Sequence, residues 1–577
     1  MHTSSCALVN KRRLPPCRIA CPASVNVQGY VSLLQQGRFK EAVELIRKSM
    51  PFPAICGRIC ISPCQEACSR KNVDQPVGIR HLKRLAADIE REQGRVRSNP
   101  VPKVHTKKVA VIGAGPAGLT AAYELAKLGH PITVFERMPE PGGMMQYGIP
   151  DYRLRKYVVA NEIAHIQDLG VEIKTGVDFG KDVTLDSLKE NGYDSLFISI
   201  GAQLSARLGV LGEDLDGVFH AVEFLRSISL GESFDIGNRV AVVGGGNSAV
   251  DAARTSLRLG AKEVLVLYRR TRDEMPAYPQ EVNAAEKEGV KFHFLVSPKQ
   301  IVEEDGKVKA IECIRMQLGE PDSSGRRRPV LIPGTEHKYE VDTVIPAIGQ
   351  AIEVSCLPPS LFDRRSGVIM VDPLTLETKI PGVFAGGDVA TGPASVVEAI
   401  GAGKRAAASI DRYLNGQDLK AGRDEEIEEV TWVKDWKRIP QKNGRYTDPH
   451  VDAGKRTASF EEADELLAKI KEIAASEARR CLGCGPCSEC LGNEELCDAD
   501  KAVVDEARCI GCNVCASVCV FGAVKKDERG IAGVDEALCK GCGVCSARCP
   551  ERAITMRKSP DLCIMTNVED ALRREYA

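Results

Sequence analysis

The chain of 577 residues has a formal net charge of −1 and contains 23 cysteines. It is too long for a single hydrophobic core, because cores stop growing at about 250–300 residues, so we expect three or more domains. The near-neutral charge argues against nucleic-acid binding, and no apolar run reaches the ~20 residues of a membrane span. The basic N-terminus has no apolar segment after it and predicts no secretory signal, so we expect a cytoplasmic protein.

The cysteines are concentrated near the two ends of the chain. Seven lie in the first 68 residues and thirteen lie between Cys481 and Cys549. Disulfides, zinc or electron-carrying clusters could each explain this density, but in such a chain clustered cysteines more often bind metal than form disulfides. Cys313, Cys356 and Cys563 stand alone, and we expect them to be buried fillers of the core.

The first 100 residues predict a small helical domain. Apolar residues recur at helical spacing in VQGYVSLLQQGRFKEAVELIRKSM, where Gly37 separates two helices. A polar linker that contains prolines follows, and the pattern then changes.

From Lys107 the chain predicts a strand, a glycine turn and a helix. Gly113, Gly115 and Gly118 follow an apolar strand, and Glu136 ends the next strand, 23 residues after Gly113. The glycines allow the backbone to approach a pyrophosphate, and the helix N-terminus offers it N–H groups. An acid at position 136 accepts hydrogen bonds from the ribose hydroxyls of an adenosine. The unit therefore predicts a dinucleotide-binding domain.

A second unit of this kind begins about 130 residues later. No acid ends its second strand, and Arg269 and Arg270 stand there instead. A carboxylate repels a 2′-phosphate, whereas a guanidinium binds it through charge-assisted hydrogen bonds, so we favour NADPH over NADH. The alternative is that both arginines lie on a solvated surface. The predicted NADPH-binding residues are Gly244, Gly246, Asn247, Ser248, Ala249, Arg269 and Arg270.

Two further stretches indicate a flavin at the first turn. PEPGGMMQYGIP is a glycine-rich loop beyond Glu136, and GVFAGGDVATGPASVVEAIGAGKRAA places Asp388 between a strand and a helix. With the two glycine turns, these stretches resemble flavoproteins of the pyridine-nucleotide:disulfide oxidoreductase type. The resemblance implies that Asp388 binds the ribityl chain of FAD, that the next helix points its N-terminus at the isoalloxazine ring, and that AIGQ at 347–350 is a hinge. The residues assigned to FAD are Gly113, Gly115, Pro116, Ala117, Gly118, Glu136, Arg137, Gly142, Gly143, Met144, Gly148, Gly387, Asp388, Ser395 and Val396.

Disulfide-reducing members of that type carry a redox-active cysteine pair beside the flavin. Between residues 107 and 411 this chain has only Cys313 and Cys356, which are far apart in sequence. A dithiol acceptor is therefore not expected, and no catalytic side chain is assigned. The cysteine clusters offer another route for electrons.

CIGCNVCASVC and CKGCGVCSARCP both have C-x2-C-x2-C-x3-C spacing. This is the pattern of two-cluster ferredoxins, in which the fourth cysteine of each run ligates the other cluster. Zinc is the alternative, but its sites usually use two cysteine pairs with a longer spacer. Val520 stands where proline is usual, which we expect to affect packing more than ligation. The two [4Fe–4S] ligand sets are Cys509, Cys512, Cys515 and Cys549, and Cys539, Cys542, Cys545 and Cys519.

The N-terminal cysteines also resemble a known domain. CRIACP and CGRICISPCQEAC are similar to the N-terminal iron–sulfur domain of the glutamate synthase small-subunit family, which dihydropyrimidine dehydrogenase and the large subunit of NADPH-dependent ferredoxin transhydrogenase share. In that family a glutamine or glutamate ligand often stands near the position of Lys83, and an ammonium has no lone pair to replace it. The resemblance implies one or two iron–sulfur clusters in this domain, and Cys6 is not assigned to either. The cysteines that would ligate them are Cys17, Cys21, Cys56, Cys60, Cys64 and Cys68.

Family members usually begin with RCLxC, which this N-terminus lacks. The motif occurs instead at Cys481 and Cys484. Either these two cysteines return to complete the N-terminal cluster, or they join Cys487, Cys490 and Cys497 in a separate cluster. We favour the separate cluster, because five local cysteines suffice for four ligands.

The predicted fold class is α/β. It comprises two Rossmann-like dinucleotide-binding domains, for FAD and NAD(P), an N-terminal helical iron–sulfur domain and a C-terminal ferredoxin-like α+β domain. The expected divisions are an iron–sulfur domain at 1–100, a first FAD-binding segment at 107–235, the NADPH domain at 236–350, a second FAD-binding segment at 351–415, a linker and helix at 416–480, a cysteine segment at 481–500, the ferredoxin domain at 501–560 and a tail at 561–577.

The resemblance implies an FAD-dependent oxidoreductase that moves electrons between NAD(P)H and about four [4Fe–4S] clusters, in either direction. The expected partners are ferredoxin or other redox subunits of a hetero-oligomeric complex, which could be electron-bifurcating. One alternative is a glutamate synthase small subunit that serves an amidotransferase, although the added ferredoxin domain argues against it. The other is a non-enzymatic polyferredoxin scaffold, which the intact glycine turns disfavour.

Overall fold

The computed structural model describes residues 12–35, 37–94, 97, 99–322, 325–363, 367–423, 427–429, 445–446, 452–462, 470–482, 484, 501–519, 523–534, 539 and 544–557. The predicted C-terminal tail lies outside these ranges. So do seven residues from the sequence analysis, which are Cys6, Cys487, Cys490, Cys497, Val520, Cys542 and Cys563. In the described part of the chain, no helix has both the length and the apolar character that crossing a bilayer requires.

The N-terminal region is a group of short helices that follows one short strand. Its elements are β1 (Arg12–Leu14), α1 (Pro16–Ile19), α2 (Val27–Gln35), α3 (Phe39–Arg47), α4 (Pro53–Ile59), α5 (Pro63–Glu66), a 3₁₀ turn (Ser69–Asn72) and α6 (Ile79–Glu92). Gly37, with a φ of +74°, separates α2 from α3 as predicted, because this left-handed backbone favours glycine. The buried apolar side chains of these helices continue into the core of the next unit, so the two pack as one body.

The first glycine turn lies in a strand–helix–strand unit. Its elements are β2 (Lys108–Ile112), α7 (Pro116–Lys127), β3 (Ile132–Glu136), α8 (Met144–Tyr147), α9 (Lys156–Asp168), β4 (Glu172–Thr175), α10 (Leu185–Glu190), β5 (Tyr193–Ile198) and β6 (Leu204–Ser205). After Lys108, every residue of β2 is buried, as expected for a parallel strand that is covered on both faces.

The second glycine turn lies in a similar unit. Its elements are α11 (Ala221–Ser229), β7 (Arg239–Val243), α12 (Asn247–Arg258), β8 (Glu263–Tyr268), a 3₁₀ turn (Arg272–Glu274), α13 (Pro279–Glu288), β9 (Lys291–Phe294), β10 (Val296–Glu304), β11 (Lys307–Pro321), β12 (Arg327–Leu331), β13 (His337–Glu340) and β14 (Thr343–Pro346). A parallel sheet has the order β14-β7-β8-β9, and β10 to β13 form a separate antiparallel sheet.

The chain then returns to the first unit. The elements are β15 (Gln350–Ala351), a 3₁₀ turn (Pro359–Leu361), β16 (Val383–Ala385), α14 (Asp388–Thr391) and α15 (Val396–Leu414). β16 completes a five-stranded parallel sheet with the order β16-β5-β2-β3-β4. Gly403 allows α15 to approach α7 closely, since a Cβ there would lie 2.4 Å from the carbonyl oxygen of Ala117.

The segment after α15 runs back over the other units. Its described elements are β17 (Ile427–Glu429), α16 (Ala453–Thr457) and α17 (Ile470–Ala478). β17 pairs in parallel with β1, α16 packs on α12 and α13, and α17 packs on α2 and α6. Glu462 pairs with Arg58 at 2.6 Å and with Arg84 at 3.0 Å, while Glu461 pairs with Arg155 on the first unit. This segment therefore contacts the N-terminal helices and both dinucleotide units.

The C-terminal unit is built from one strand–helix–strand motif used twice. Its elements are β18 (Ala502–Val504), α18 (Val514–Val518), β19 (Val524–Lys526), β20 (Ala532–Val534), α19 (Val544–Arg548) and β21 (Ile554–Met556). β18 pairs with β21 and β19 with β20, both antiparallel, around a small core of their own. The predicted fold class, with two dinucleotide-binding units between two iron–sulfur domains, is confirmed.

A buried ion network anchors α16 to the second unit. Glu288 accepts hydrogen bonds from Arg254 at 2.6 Å and 2.9 Å and from Arg258 at 2.9 Å, and Arg456 on α16 lies 3.2 Å away. The Glu288 side chain is fully buried. Burial raises the pKa of this carboxyl, but the arginines outweigh burial and lower the pKa to about 2. Its contribution to stability is present above pH 4.5, the ordinary pKa, and is lost as the pH falls through about 2.

Replacing Glu288 by Gln should leave three arginines without their central anion. We expect a loss of about 3–5 kcal/mol in unfolding free energy at pH 7, measured as a lower urea midpoint by circular dichroism. Glu286→Gln on the same helix is the matched control, because its arginine partner is exposed and the pair contributes about 1 kcal/mol or less. Equal midpoints for the two variants would contradict the network's role.

Candidate functional site

The first glycine turn leaves open space where a phosphate group would approach. A Cβ on Gly115 would meet nothing within 4 Å. A Cβ on Gly118 would lie 2.1 Å from the carbonyl oxygen of Gly113 and 2.5 Å from Ser199 Oγ. Gly118 is therefore required for helix–strand packing, whereas Gly115 faces the space in front of α7, which supports the predicted dinucleotide site.

Glu136 holds the turn from the end of β3. Its Oε2 accepts a hydrogen bond from the Ala114 N–H at 2.7 Å, and its Oε1 accepts one from the Met138 N–H at 2.9 Å. Burial raises the pKa of the Glu136 carboxyl, and these two amides lower it. The carboxylate borders an elongated cleft that starts at the glycine turn, which we call the first cleft.

Most residues assigned to FAD line the first cleft. They are Gly113, Gly115, Pro116, Ala117, Glu136, Arg137, Gly143, Met144, Gly387 and Asp388. Gly118 and Gly142 lie behind it, where the Gly142 N–H donates to the Ala114 carbonyl at 2.9 Å. The other three assigned residues border a different cavity, described below, and are Gly148, Ser395 and Val396.

The sequence analysis missed some of the cleft wall. Ser199, Ile200 and Gly201 line it directly after β5. The signal was their position at the carboxyl end of a central parallel strand, where ligands bind in such sheets. Cys356, expected to be a buried filler, is half-buried and also lines the cleft, whereas Cys313 is fully buried as predicted.

Asp388 lies where the first cleft opens. Burial outweighs a hydrogen bond from the Ala394 N–H at 3.2 Å and raises the pKa of its carboxyl to about 6. The next helix, α15, begins with a capping box in which Ser395 and Glu398 bond reciprocally. Its N-terminus borders the same opening.

The second glycine turn opens onto a larger cavity of about 910 Å³, which we call the central cavity. A Cβ on Gly246 would meet nothing within 4 Å, whereas one on Gly244 would lie 2.2 Å from the Ala347 carbonyl oxygen. The predicted NADPH residues that line the cavity are Gly244, Gly246, Asn247, Ser248, Arg269 and Arg270, and Ala249 is buried in α12.

The two arginines after β8 differ in their surroundings. Arg269 is exposed at the cavity. Arg270 is 5% exposed, donates to the Arg327 carbonyl at 2.8 Å and pairs with Asp322 at 2.7 Å. Arg270 also lines the cavity, and its contacts hold the β11–β12 connection to β8, whereas Arg269 is the more exposed of the two arginines. Arg326 on that connection also lines the cavity. The sequence analysis missed this residue, and the one signal for it was its place in the basic run RRRP.

The first cleft and the central cavity meet at shared walls. Pro116, Met144 and Asp388 line both spaces. The central cavity is also bordered by Ile59 and Ile61, which flank Cys60. Two ligands held at the two glycine turns would therefore approach each other beside an N-terminal cysteine.

Cysteines from the two ends of the chain surround one small cavity, which we call the split cysteine site. Its cysteines are Cys17, Cys68, Cys481 and Cys484. Burial raises the pKa of the Cys17 thiol, and Cys481, Cys484 and Cys68 raise it further as negative neighbours. This arrangement disagrees with the favoured prediction that Cys481 and Cys484 belong to a separate local cluster. It matches the other alternative, in which they return to the N-terminal domain.

The remaining cysteines that the structure describes in the N-terminal region form a second group on and beside α4, which we call the α4 cysteine site. Its cysteines are Cys21, Cys56, Cys60 and Cys64, and all four are buried. Burial raises the pKa of the Cys64 thiol to about 12. Lys83 on α6 lies among these thiols; burial lowers the pKa of its ammonium, but Cys60, Cys56 and Cys64 more than offset this and raise it.

The C-terminal cysteines that the structure describes lie together in one small unit. One cavity is lined by Cys509, Cys512, Cys515 and Cys549. The Ala532 N–H donates to Cys509 Sγ at 3.5 Å and the Ala553 N–H to Cys549 Sγ at 3.3 Å. Of the second set, Cys519, Cys539 and Cys545 pack in the same small core, and Cys542 lies outside the described residues. Thiols gathered in fours are the donor set that iron–sulfur clusters require, and no two described cysteines form a disulfide.

Comparison with known families agrees with this arrangement. The family model "Pyridine nucleotide-disulphide oxidoreductase" matches residues 107–403. The model for dihydropyrimidine dehydrogenase domain II, 4Fe-4S cluster, matches residues 5–95, and a 4Fe-4S dicluster domain matches residues 502–556.

Three curated relatives resemble the chain over most of its length. The β subunit of an NADP(+)-dependent formate dehydrogenase from Moorella thermoacetica is 43% identical over 81% of this chain and 70% of its own. The β subunit of an NADPH-Fe(3+) oxidoreductase from Geobacter sulfurreducens is 40% identical over 81% of this chain and 75% of its own length. The glutamate synthase [NADPH] small chain of Escherichia coli is 37% identical over 69% of this chain and 89% of its own length.

The two glycines of the first turn allow a test that separates packing from ligand space. Gly118→Ala should lower the thermal midpoint of the dinucleotide-free chain, because its Cβ overlaps the turn. Gly115→Ala should change the free energy of unfolding by about 0.5 kcal/mol or less and leave that midpoint nearly unchanged. It should nevertheless reduce the amount of dinucleotide that the chain retains on purification. Both quantities are read by thermal denaturation and absorbance. Equal destabilisation of the stripped chain by the two variants would contradict the assignment.

Proposed function

The chain belongs to the pyridine nucleotide-disulphide oxidoreductase family, and from this premise we propose that it moves electrons between NADPH and iron–sulfur clusters through FAD, as one subunit of a larger redox complex. The observation that carries the proposal is the central cavity, which adjoins both glycine turns and the residues that flank Cys60. The test is anaerobic purification followed by addition of NADPH. We expect loss of flavin absorbance and appearance of reduced-cluster EPR signals; a colourless chain that holds zinc would refute the proposal.

The residues that would hold FAD are those of the first cleft. Glu136 is placed to accept hydrogen bonds from an adenosine ribose, and the start of α7 offers N–H groups to a pyrophosphate. Asp388 would bind the ribityl chain where the cleft meets the central cavity. When bound, FAD exchanges a hydride with a nicotinamide and single electrons with clusters. The chain supplies orientation and charge around the cofactor.

We assign the N-terminal cysteines to two [4Fe–4S] clusters. One would be held by the split cysteine site and the other by the α4 cysteine site. With the two ferredoxin ligand sets, the total is about four clusters, the number expected from the sequence but with different ligands. Because Ile59 and Ile61 border the central cavity, the α4 cysteine site adjoins the space where the flavin and the nicotinamide would meet.

The partners are proposed from the relatives. Two of them are named as β subunits of NADP(H)-linked enzymes, so we propose that ferredoxin or redox subunits of a complex exchange electrons with this chain, in either direction. The glutamate synthase alternative is weaker, because that small chain matches 69% of this chain and a dicluster domain extends beyond its usual range. We also propose a cytoplasmic location, because cysteines remain reduced and available to clusters there.

The contrast between Arg269 and Arg270 sharpens the test of nucleotide specificity. Arg269→Gln should weaken NADPH binding about tenfold or more and NADH binding less than twofold, because it removes a charge-assisted contact to the 2′-phosphate. Both Kd values can be measured by titration calorimetry on the FAD-loaded chain. Arg328→Gln, at an exposed arginine on β12, is the control. Equal weakening of both nucleotides by Arg269→Gln would contradict its role.

The split cysteine site predicts non-additive losses of iron. Cys17→Ser and Cys481→Ser should each lose one cluster, about four iron atoms per chain, and the double variant should lose no more than either single variant. If Cys481 belonged to a separate cluster, the double variant would lose two clusters. Iron and acid-labile sulfide counts on anaerobically purified chains decide between these outcomes. Cys313→Ala, at the isolated buried cysteine, is the control.

A further inference from the structure

Lys83 is a buried cation that has no carboxylate partner in the described part of the chain. It is 3% exposed, and its charged neighbours are the sulfur atoms of the α4 cysteine site. The other buried cations of the N-terminal helices are arginines with carboxylate partners. Arg58 and Arg84 pair with Asp88 and Glu462, and Arg70 pairs with Asp74.

The packing of α6 on α4 fixes Lys83 in this position. A Cβ on Gly57 of α4 would lie 2.5 Å from the Cα of Arg84, so the two helices touch at the residue beside Lys83. Cys56 lies on α4 and Cys60 caps its C-terminus. The close packing of α6 on α4 therefore places residue 83 beside the helix that carries the α4 cysteine site.

A buried ammonium is costly unless an anion balances it. Neutral thiols provide no such charge, whereas cysteines that ligate a metal cluster are thiolates and make the site anionic as a whole. Lys83 has no lone pair to offer iron, so it cannot be a ligand while it is charged. Its position is that of a counter-ion that faces the sulfur atoms.

We propose that Lys83 is the buried counter-ion of a cluster held by Cys21, Cys56, Cys60 and Cys64, and that its charge raises the reduction potential of that cluster. Net charge and hydrogen bonds at the sulfur atoms set the potentials of such clusters. A nearby positive charge favours the reduced form, which carries one more negative charge, and does so strongly in a buried site. The inference rests on the proposed function, because this cluster site adjoins the central cavity and is placed to exchange electrons with the flavin first.

The test compares charge removal with charge retention at position 83 in the full-length chain, purified without oxygen. Lys83→Met and Lys83→Leu remove the charge, Lys83→Arg keeps it, and Lys40→Met removes an exposed lysine on α3 as a control. Midpoint potentials are read by EPR-monitored redox titration, together with iron and sulfide counts. The relevant signal is identified by its loss from the Cys56→Ser chain.

We expect Lys83→Met and Lys83→Leu to keep their iron and to shift this midpoint to more negative values. At a fixed potential, the ratio of reduced to oxidised cluster should fall at least tenfold, which is about 59 mV for a one-electron couple. Lys83→Arg and Lys40→Met should change the ratio less than threefold. An unchanged midpoint in the neutral variants would overturn the proposal. So would loss of this cluster's iron, because the lysine would then serve assembly of the site. Failure of the proposed function would differ, because the unaltered chain would not reduce any cluster with NADPH.

Discussion

The positions of the cysteines in the split cysteine site depend on buried ion pairs that hold distant segments of the chain together. Arg480 lies 3.0 Å from Asp74, which also pairs with Arg70 at 2.5 Å, and Arg70 donates to the Arg480 carbonyl at 3.4 Å. Cys481 is the next residue, so these contacts fix where its sulfur lies. Removing one partner of a buried pair costs about 3–5 kcal/mol, because the other charge is left without compensation. The geometry of the split cysteine site therefore depends on charged residues that lie outside the group of cysteines.

The same segment makes the N-terminal helices and the dinucleotide units one structural body. Glu477 accepts a hydrogen bond from the Gly78 N–H at 2.8 Å, just before α6 begins. The core of the N-terminal helices continues into the first unit, and Glu162 on α9 accepts hydrogen bonds from the backbone at the start of α4. Because α4 carries Cys56, the shared core and the hydrogen bonds to Glu162 together set the position of the α4 cysteine site relative to the first cleft. A rigid placement suits electron transfer, which requires fixed distances between cofactors.

Local patterns in the sequence were sufficient for the elements whose chemistry is local. The glycine turns, Glu136, Asp388 and the ferredoxin spacing were predicted, because each requirement falls within one strand–turn–helix or one short loop. The return of Cys481 to Cys17 was one of two alternatives and not the favoured one, since cysteines hundreds of residues apart leave no spacing to read. Nor could the sequence distinguish Arg269 from Arg270. Successive side chains at a strand end point to opposite sides, and only the structure shows that Arg269 is exposed at the cavity while Arg270 pairs with Asp322.

The two ends of the proposed electron path differ in exposure, and this difference has a physical reason. The four cysteines of the α4 cysteine site are buried. In the C-terminal unit, Cys512 is exposed and Ile510 beside it is 65% exposed. A cluster that exchanges electrons with another protein must lie near the surface, and an exposed apolar residue beside it offers contact area to a partner. In the proposed path, the buried α4 cysteine site would therefore be the inner end and the more exposed C-terminal unit the outer end.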